Sequence, residues 1–92
     1  MRVTILGKHW EFVIEPVPGT SLGLCDPPDK PHKKITVDPK AEKKDALLME
    51  VVLHEALHAA CWSLDEDYVD EYARDAARLL AKLGFRRIKE DE

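Results

Sequence analysis

The segment Val51–Asp67, VVLHEALHAACWSLDED, decides how the rest of the chain is read. It begins as an apolar run, yet His54, Glu55 and His58 fall within five consecutive residues of it. On a helix turning about 100° per residue, His54 and His58 share one face, one turn apart. Polar groups left unpaired inside an apolar helix are costly, so this trio needs partners. A metal ion supplies them. Zinc favours a tetrahedral set of nitrogen, oxygen and sulfur donors, and a catalytic site uses three protein ligands with water in the fourth place. H-E-A-L-H then contributes His54 and His58 as ligands, with Glu55 beside the water to accept and return its proton.

Two histidines leave the shell one ligand short. The remaining donors are Glu66, Asp65, Asp67, Asp70, Glu71, Cys61, Cys25, His9 and His32. Helical geometry selects among them. A second helix is expected from about Leu64 to Leu83, closed by Gly84, with the apolar stripe Val69, Ala73, Ala76, Leu80 and Leu83. Projected back one step of three, that stripe reaches Glu66, at the start of a helix folded against the first. Asp70, one turn on, is the next candidate, whereas Glu71 and Asp75 project to solvent. Glu66 also has a structural alternative, because Ser63-Leu64-Asp65-Glu66 spells an S-x-x-E capping box. Cys61 reads as a small buried thiol. Cys25 and His32 are a weak candidate for a second metal pair. Along the second helix, Asp70 with Arg74 and Asp75 with Arg78 are expected to pair.

Upstream, Arg2–Glu15 is rich in β-branched and aromatic residues and is broken at Gly7-Lys8, which predicts a hairpin of RVTIL and HWEFVIE. His9 and Trp10 would be one exposed and one packed. Prolines from Pro16 to Pro31 make the stretch up to Lys34 an irregular connector. Ile35–Val37 is a short third strand, stopped by Asp38-Pro39. Asp38 is suited to cap a helix and Pro39 to its first position, so one helix is expected from about Pro39 to about Trp62. The tail FRRIKEDE either adds a brief strand or frays.

Size and composition bound the possibilities. The 92 residues suit one domain with one modest core, and 45% hydrophobic with 35% charged residues is a globular balance. A net charge of −4 argues against nucleic acid or an anionic membrane as the main partner, although DKPHKK forms a small basic cluster. Two cysteines without a framework of spacings, and no apolar run of signal-peptide or membrane-spanning length, predict a soluble cytoplasmic protein.

With HEALH flanked in this way, the chain resembles the zincin metallopeptidases, within them the gluzincin type, whose third ligand is a glutamate on the following helix. It is similar to short phage and prophage-type proteins and, more distantly, to the ImmA/IrrE family. The likeness covers roughly Ile35–Phe85, through ITVDP, VVLHEALHAA and LDEDYVDEYARDAARLLAKLGF. The ImmA/IrrE pattern E-x-x-A-N-x-F-A lines up with Glu66–Ala73, EDYVDEYA, and Val69-Asp70 stands where that pattern has Ala-Asn. The resemblance implies Glu66 as the third ligand, one Zn2+ ion, and a peptide or protein substrate held along an edge strand, here Ile35–Val37. The expected whole is an α+β, minimal zincin-like single domain over residues 1–92. A small three-stranded sheet would pack on a buried zinc-binding helix and a second C-terminal helix. Its expected function is zinc-dependent peptide hydrolysis with Glu55 as general base. The alternative is a zinc-binding regulatory or protein-interaction module of the same fold without turnover.

Overall fold

The computed structural model describes residues 1–88 as a small α+β domain. Strands β1 (Arg2–Ile5), β2 (Lys8–Ile14), β3 (Gly23–Cys25) and β4 (Lys34–Val37) form one sheet in the order β1-β2-β4-β3. Helices α1 (Asp45–Ala60) and α2 (Glu66–Lys82) complete it. α1 packs on the sheet and α2 packs on α1.

The β1–β2 hairpin forms as expected, with its turn at Leu6-Gly7, one residue earlier than the sequence suggests. Both turn residues take positive φ, 49° and 79°, the condition for a two-residue turn whose twist matches that of the strands. Within β2, His9 is exposed and Trp10 is 1% exposed. The Trp10 indole N–H donates to the Asp26 carbonyl at 3.1 Å, and the Lys33 ammonium lies 5.1 Å from its ring centroid.

The expected three-stranded sheet is corrected to four strands. β3 lies inside the proline-rich connector, and its pairing supplies what its own three residues lack. It runs antiparallel to β4, with Gly23 opposite Val37 and Cys25 opposite Ile35. Asp26 clamps the pair: its carboxylate accepts the Lys34 N–H at 2.8 Å, and its own N–H donates to the Lys34 carbonyl at 3.0 Å. β4 therefore has neighbours on both sides, parallel β2 and antiparallel β3, and Ile35–Val37 is not an edge strand. The edge is β3.

The expected helix from Pro39 to Trp62 is divided. Asp38 and Pro39 do start a helix, a 3-10 turn over Pro39–Lys43 that carries Ala41 into the core. Lys44 is extended, at φ −141° and ψ 136°, and only then does α1 begin. Between Pro39 and Lys44 every side chain but Ala41 is charged, so packing holds one turn there and no more. From Leu47 to Ala60 no residue of α1 is exposed, which matches its apolar run. Its buried residues Leu48 and Val51 meet Val37 and Ala41, while Ala59 meets Trp10 and Ile35.

Asp38 ties these parts together. Its carboxylate, 2% exposed, accepts N–H groups from Val17 and Lys40, each at 2.9 Å. Those two bonds hold its pKa below the ordinary value. A depressed native pKa means that the stabilisation is complete above the unfolded pKa, about 4, and is lost as pH falls through the native value. The melting-temperature gap between wild type and Asp38→Asn should therefore be wide near neutral pH and close in acid. A gap independent of pH would show that the charge of Asp38 is not what matters.

α2 ends as its sequence predicts. Gly84 at φ 90° follows the helix, the Phe85 N–H bonds the Leu80 carbonyl and the Gly84 N–H bonds the Ala81 carbonyl, the paired pattern of a Schellman close. The stripe is partly corrected: Val69, Ala73 and Ala77 are buried, while Leu83 is 66% exposed. A strict alternation of four and three drifts about 20° per heptad on a straight helix, so by Leu83 it has left the covered face. Phe85–Ile88 adds no strand, and the rest of the expected tail lies outside the described residues. Among the described residues, no helix is long and apolar enough to cross a membrane.

Candidate metal centre

α1 presents His54 and His58 one turn apart, both half-buried, and the short link Cys61–Asp65 returns the chain so that α2 opens above them. The donor atoms of His54, His58 and Glu66 all lie within 4.8 Å of one another. His54 Nε2 is 3.1 Å from His58 Nε2 and 3.0 Å from Glu66 Oε1, and His58 Nε2 is 3.0 Å from Glu66 Oε2. Donors bound tetrahedrally to zinc at about 2.0–2.1 Å stand about 3.3 Å from one another. The three donors thus converge at nearly the separation that one ion imposes. Two imidazole nitrogens and a carboxylate suit zinc.

The sequence left Glu66 between ligand and cap. α2 starts at Glu66 with Asp65 in the capping position, and no side-chain cap bond forms there. The S-x-x-E box needs the helix to begin two residues earlier. Starting where it does, α2 turns the Glu66 carboxylate toward the histidines.

Asp70 has a different part from the one considered for it. Its Oδ1 lies 3.1 Å from His54 Nδ1, the nitrogen on the far side of the ring from Glu66. A neutral histidine donates from one nitrogen only. A carboxylate this close to Nδ1 favours the tautomer with its proton there and leaves the Nε2 lone pair toward Glu66 and His58, an arrangement that a cation between them satisfies. The expected Asp70–Arg74 and Asp75–Arg78 pairs are absent among the described residues. Asp70→Asn should lower zinc affinity by roughly 10–100-fold, read by chelator competition, without removing the site. An unchanged affinity would reduce Asp70 to a surface residue.

Glu55 is 6% exposed and lies at the floor of the site against β3. A Cβ at Gly23 would meet Glu55 Oε2 at 2.6 Å and Val51 Cγ1 at 3.0 Å. Only glycine lets the edge strand run this close to the carboxyl group. Sequence reading passed over Gly23, because nothing in a proline-rich stretch marks a close approach to a distant helix. Burial pushes the Glu55 carboxyl up to about 7, with His54 pulling it down and Glu66 pushing it further up.

The other candidates stay outside the cluster. Burial first, then the Glu55 and Asp26 carboxylates, push the Cys25 thiol up to about 12, and its Sγ donates to the Asp26 carbonyl at 3.4 Å. Cys61 is corrected from a buried thiol to an exposed one, 3.8 Å from Ser63 Oγ. It follows the last residue of α1, where the chain leaves helical geometry at φ −145° and turns the side chain outward. His9 bonds Thr4 on the exposed hairpin, and His32 sits in the connector at φ 52°. Among the described residues, only His54, His58 and Glu66 form a cluster able to hold a metal.

A cleft of about 610 Å³ opens over these groups. β3 forms one wall through Gly23, Leu24 and Cys25, the start of α2 forms another, and Trp62 and Leu64 rim it. Glu50, one turn before His54, lines it as well. The basic cluster lies elsewhere and is engaged: Lys30 with Asp26 at 3.4 Å, Lys34 with Glu15 at 3.6 Å, and Lys33 over Trp10.

Comparison with family models, with curated proteins and with solved structures returns no match for this chain.

Proposed function

We propose that the protein is a zinc-dependent peptidase of minimal zincin type that takes an extended peptide or protein segment. The observation that carries this reading is the convergence of His54, His58 and Glu66 in an open cleft with Glu55 buried beside them. Bound there, zinc would supply a polarised carbonyl and an acidified water. His54, His58 and Glu66 would hold the ion, and Asp70 would fix the ring of His54. Glu55 would take the proton of the attacking water and return it to the leaving amine. The unpaired side of β3, next to the cleft, would align the substrate by main-chain pairing, with Leu24, 49% exposed, beside it. Nothing in this reading calls for nucleic acid or membrane, and it is compatible with the cytoplasm.

One observation favours a second reading, a zinc-holding module that binds such a segment without cutting it. The cleft lining among the described residues contains no lysine, arginine or tyrosine to share the charge that develops on the carbonyl oxygen. Incubation of the zinc-loaded protein with a peptide library, with Glu55→Gln alongside, separates the two. Cleavage by the wild type alone supports the peptidase, and binding without cleavage by either protein supports the module.

A further inference from the structure

α2 carries a second apolar face that the fold leaves uncovered. Tyr68, Tyr72, Leu79 and Leu83 are 57%, 50%, 59% and 66% exposed. At about 100° per residue they fall within about 60° of one another, roughly a third of a turn round from the buried Val69, Ala73 and Ala77. The two tyrosine rings are 6.4 Å apart, so they form one continuous surface. Three large apolar residues on one side of a 17-residue helix, continued by Leu83 at its cap, are more than scattered exposure accounts for.

The charges beside this face say what covers it. On its outer flank, Asp67 and Glu71 lie toward the start of the helix and Arg78 and Lys82 toward its end, and all four are exposed. None has an ion-pair partner among the described residues. Acidic at one end and basic at the other, the face complements itself when turned end for end.

We propose that α2 is a self-association surface on which a second copy of this chain packs antiparallel. A two-fold axis between Asp75 and Ala76 sets Tyr68 against the second copy's Leu83 and Tyr72 against its Leu79. The same axis brings Glu71 to within two residues of the second copy's Arg78 and Asp67 to within two residues of its Lys82, while Asp75 meets its own copy at the axis. A parallel two-fold pairing would set the two charged flanks on opposite sides of the contact, where they do not meet. Glu66 and Asp70, which face the histidines, lie on the far side of α2, so pairing leaves the metal cleft open. One helix face is at the small end of stable interfaces, about 1,200 Å² in total, so association is expected to be weak and to depend on concentration.

Sedimentation equilibrium of the full chain over a concentration series into the millimolar range tests this. A monomer–dimer equilibrium is expected for the wild type, and Leu79→Glu should be monomeric with an unchanged circular dichroism spectrum. Glu71→Arg or Arg78→Glu alone should weaken the dimer roughly tenfold or more, since each change acts twice across the axis. The double reversal should restore most of the loss. A wild type that stays monomeric, a dimer indifferent to Leu79→Glu, or single reversals that the double change does not rescue would each overturn the proposal.

Discussion

Glu66→Ala should remove zinc from the protein while leaving its fold nearly untouched. The carboxylate is 64% exposed and, among the described residues, caps nothing and pairs only with His54 and His58. Its loss should therefore cost the metal-free chain no more than a cap, of order ~1 kcal/mol. Binding is another matter. Changes that merely disturb a ligand's orientation cost about 10–100-fold in affinity, and removing a ligand should exceed that. With free zinc a hundredfold above the wild-type Kd, binding stabilises the native state by about 2.7 kcal/mol. For a domain of this size that is a rise of roughly 10–20 °C in Tm. In Glu66→Ala the same zinc should give less than about 0.4 kcal/mol, a rise of no more than a few degrees. Thermal scans with and without zinc on both proteins give the comparison. A full zinc-induced rise in the variant would return Glu66 to a surface role.

Glu55→Gln should do the opposite, keeping zinc and losing turnover. Glutamine fills the same space against Gly23, so the packing of β3 on α1 survives, and neither histidine is touched. What disappears is a carboxylate able to carry a proton between water and leaving group, a contribution of roughly 10²–10⁴-fold in rate. Stability moves the other way. Burial raises the native pKa of Glu55, so holding its carboxylate ionised costs the metal-free wild type stability, fully so above its native value of about 7. The variant has no charge to hold and should melt higher than the wild type at alkaline pH in the absence of metal. Peptide cleavage, zinc content and melting can all be read on one preparation. Cleavage at the wild-type rate would remove Glu55 from the chemistry.

Much of this was legible because the decisive residues lie close together in the chain. His54, Glu55 and His58 share one helix face, and Glu66 follows near the start of a helix whose Gly84 close is spelled locally, although that helix begins two residues later than expected. The hairpin, the packed Trp10 and the Asp38 cap are local too. What escaped depends on distant pairing or on single atoms. Gly23–Cys25 is too short to show alternation and becomes a strand only because β4 accepts it. Lys44 sits among charged residues that favour helix, so no residue type announces the break there. Asp70 and Glu66 share a helix face. Which nitrogen of His54 each meets follows from how α2 lies across α1.

The proposed metal centre is tested most directly by zinc X-ray absorption on the purified chain, with the metal-to-protein ratio measured on the same sample. One zinc per chain is expected, bound by two imidazole nitrogens and carboxylate oxygen with no sulfur. A chain that takes up no zinc, or a shell that contains the sulfur of Cys25 or Cys61, would contradict the site built from His54, His58 and Glu66.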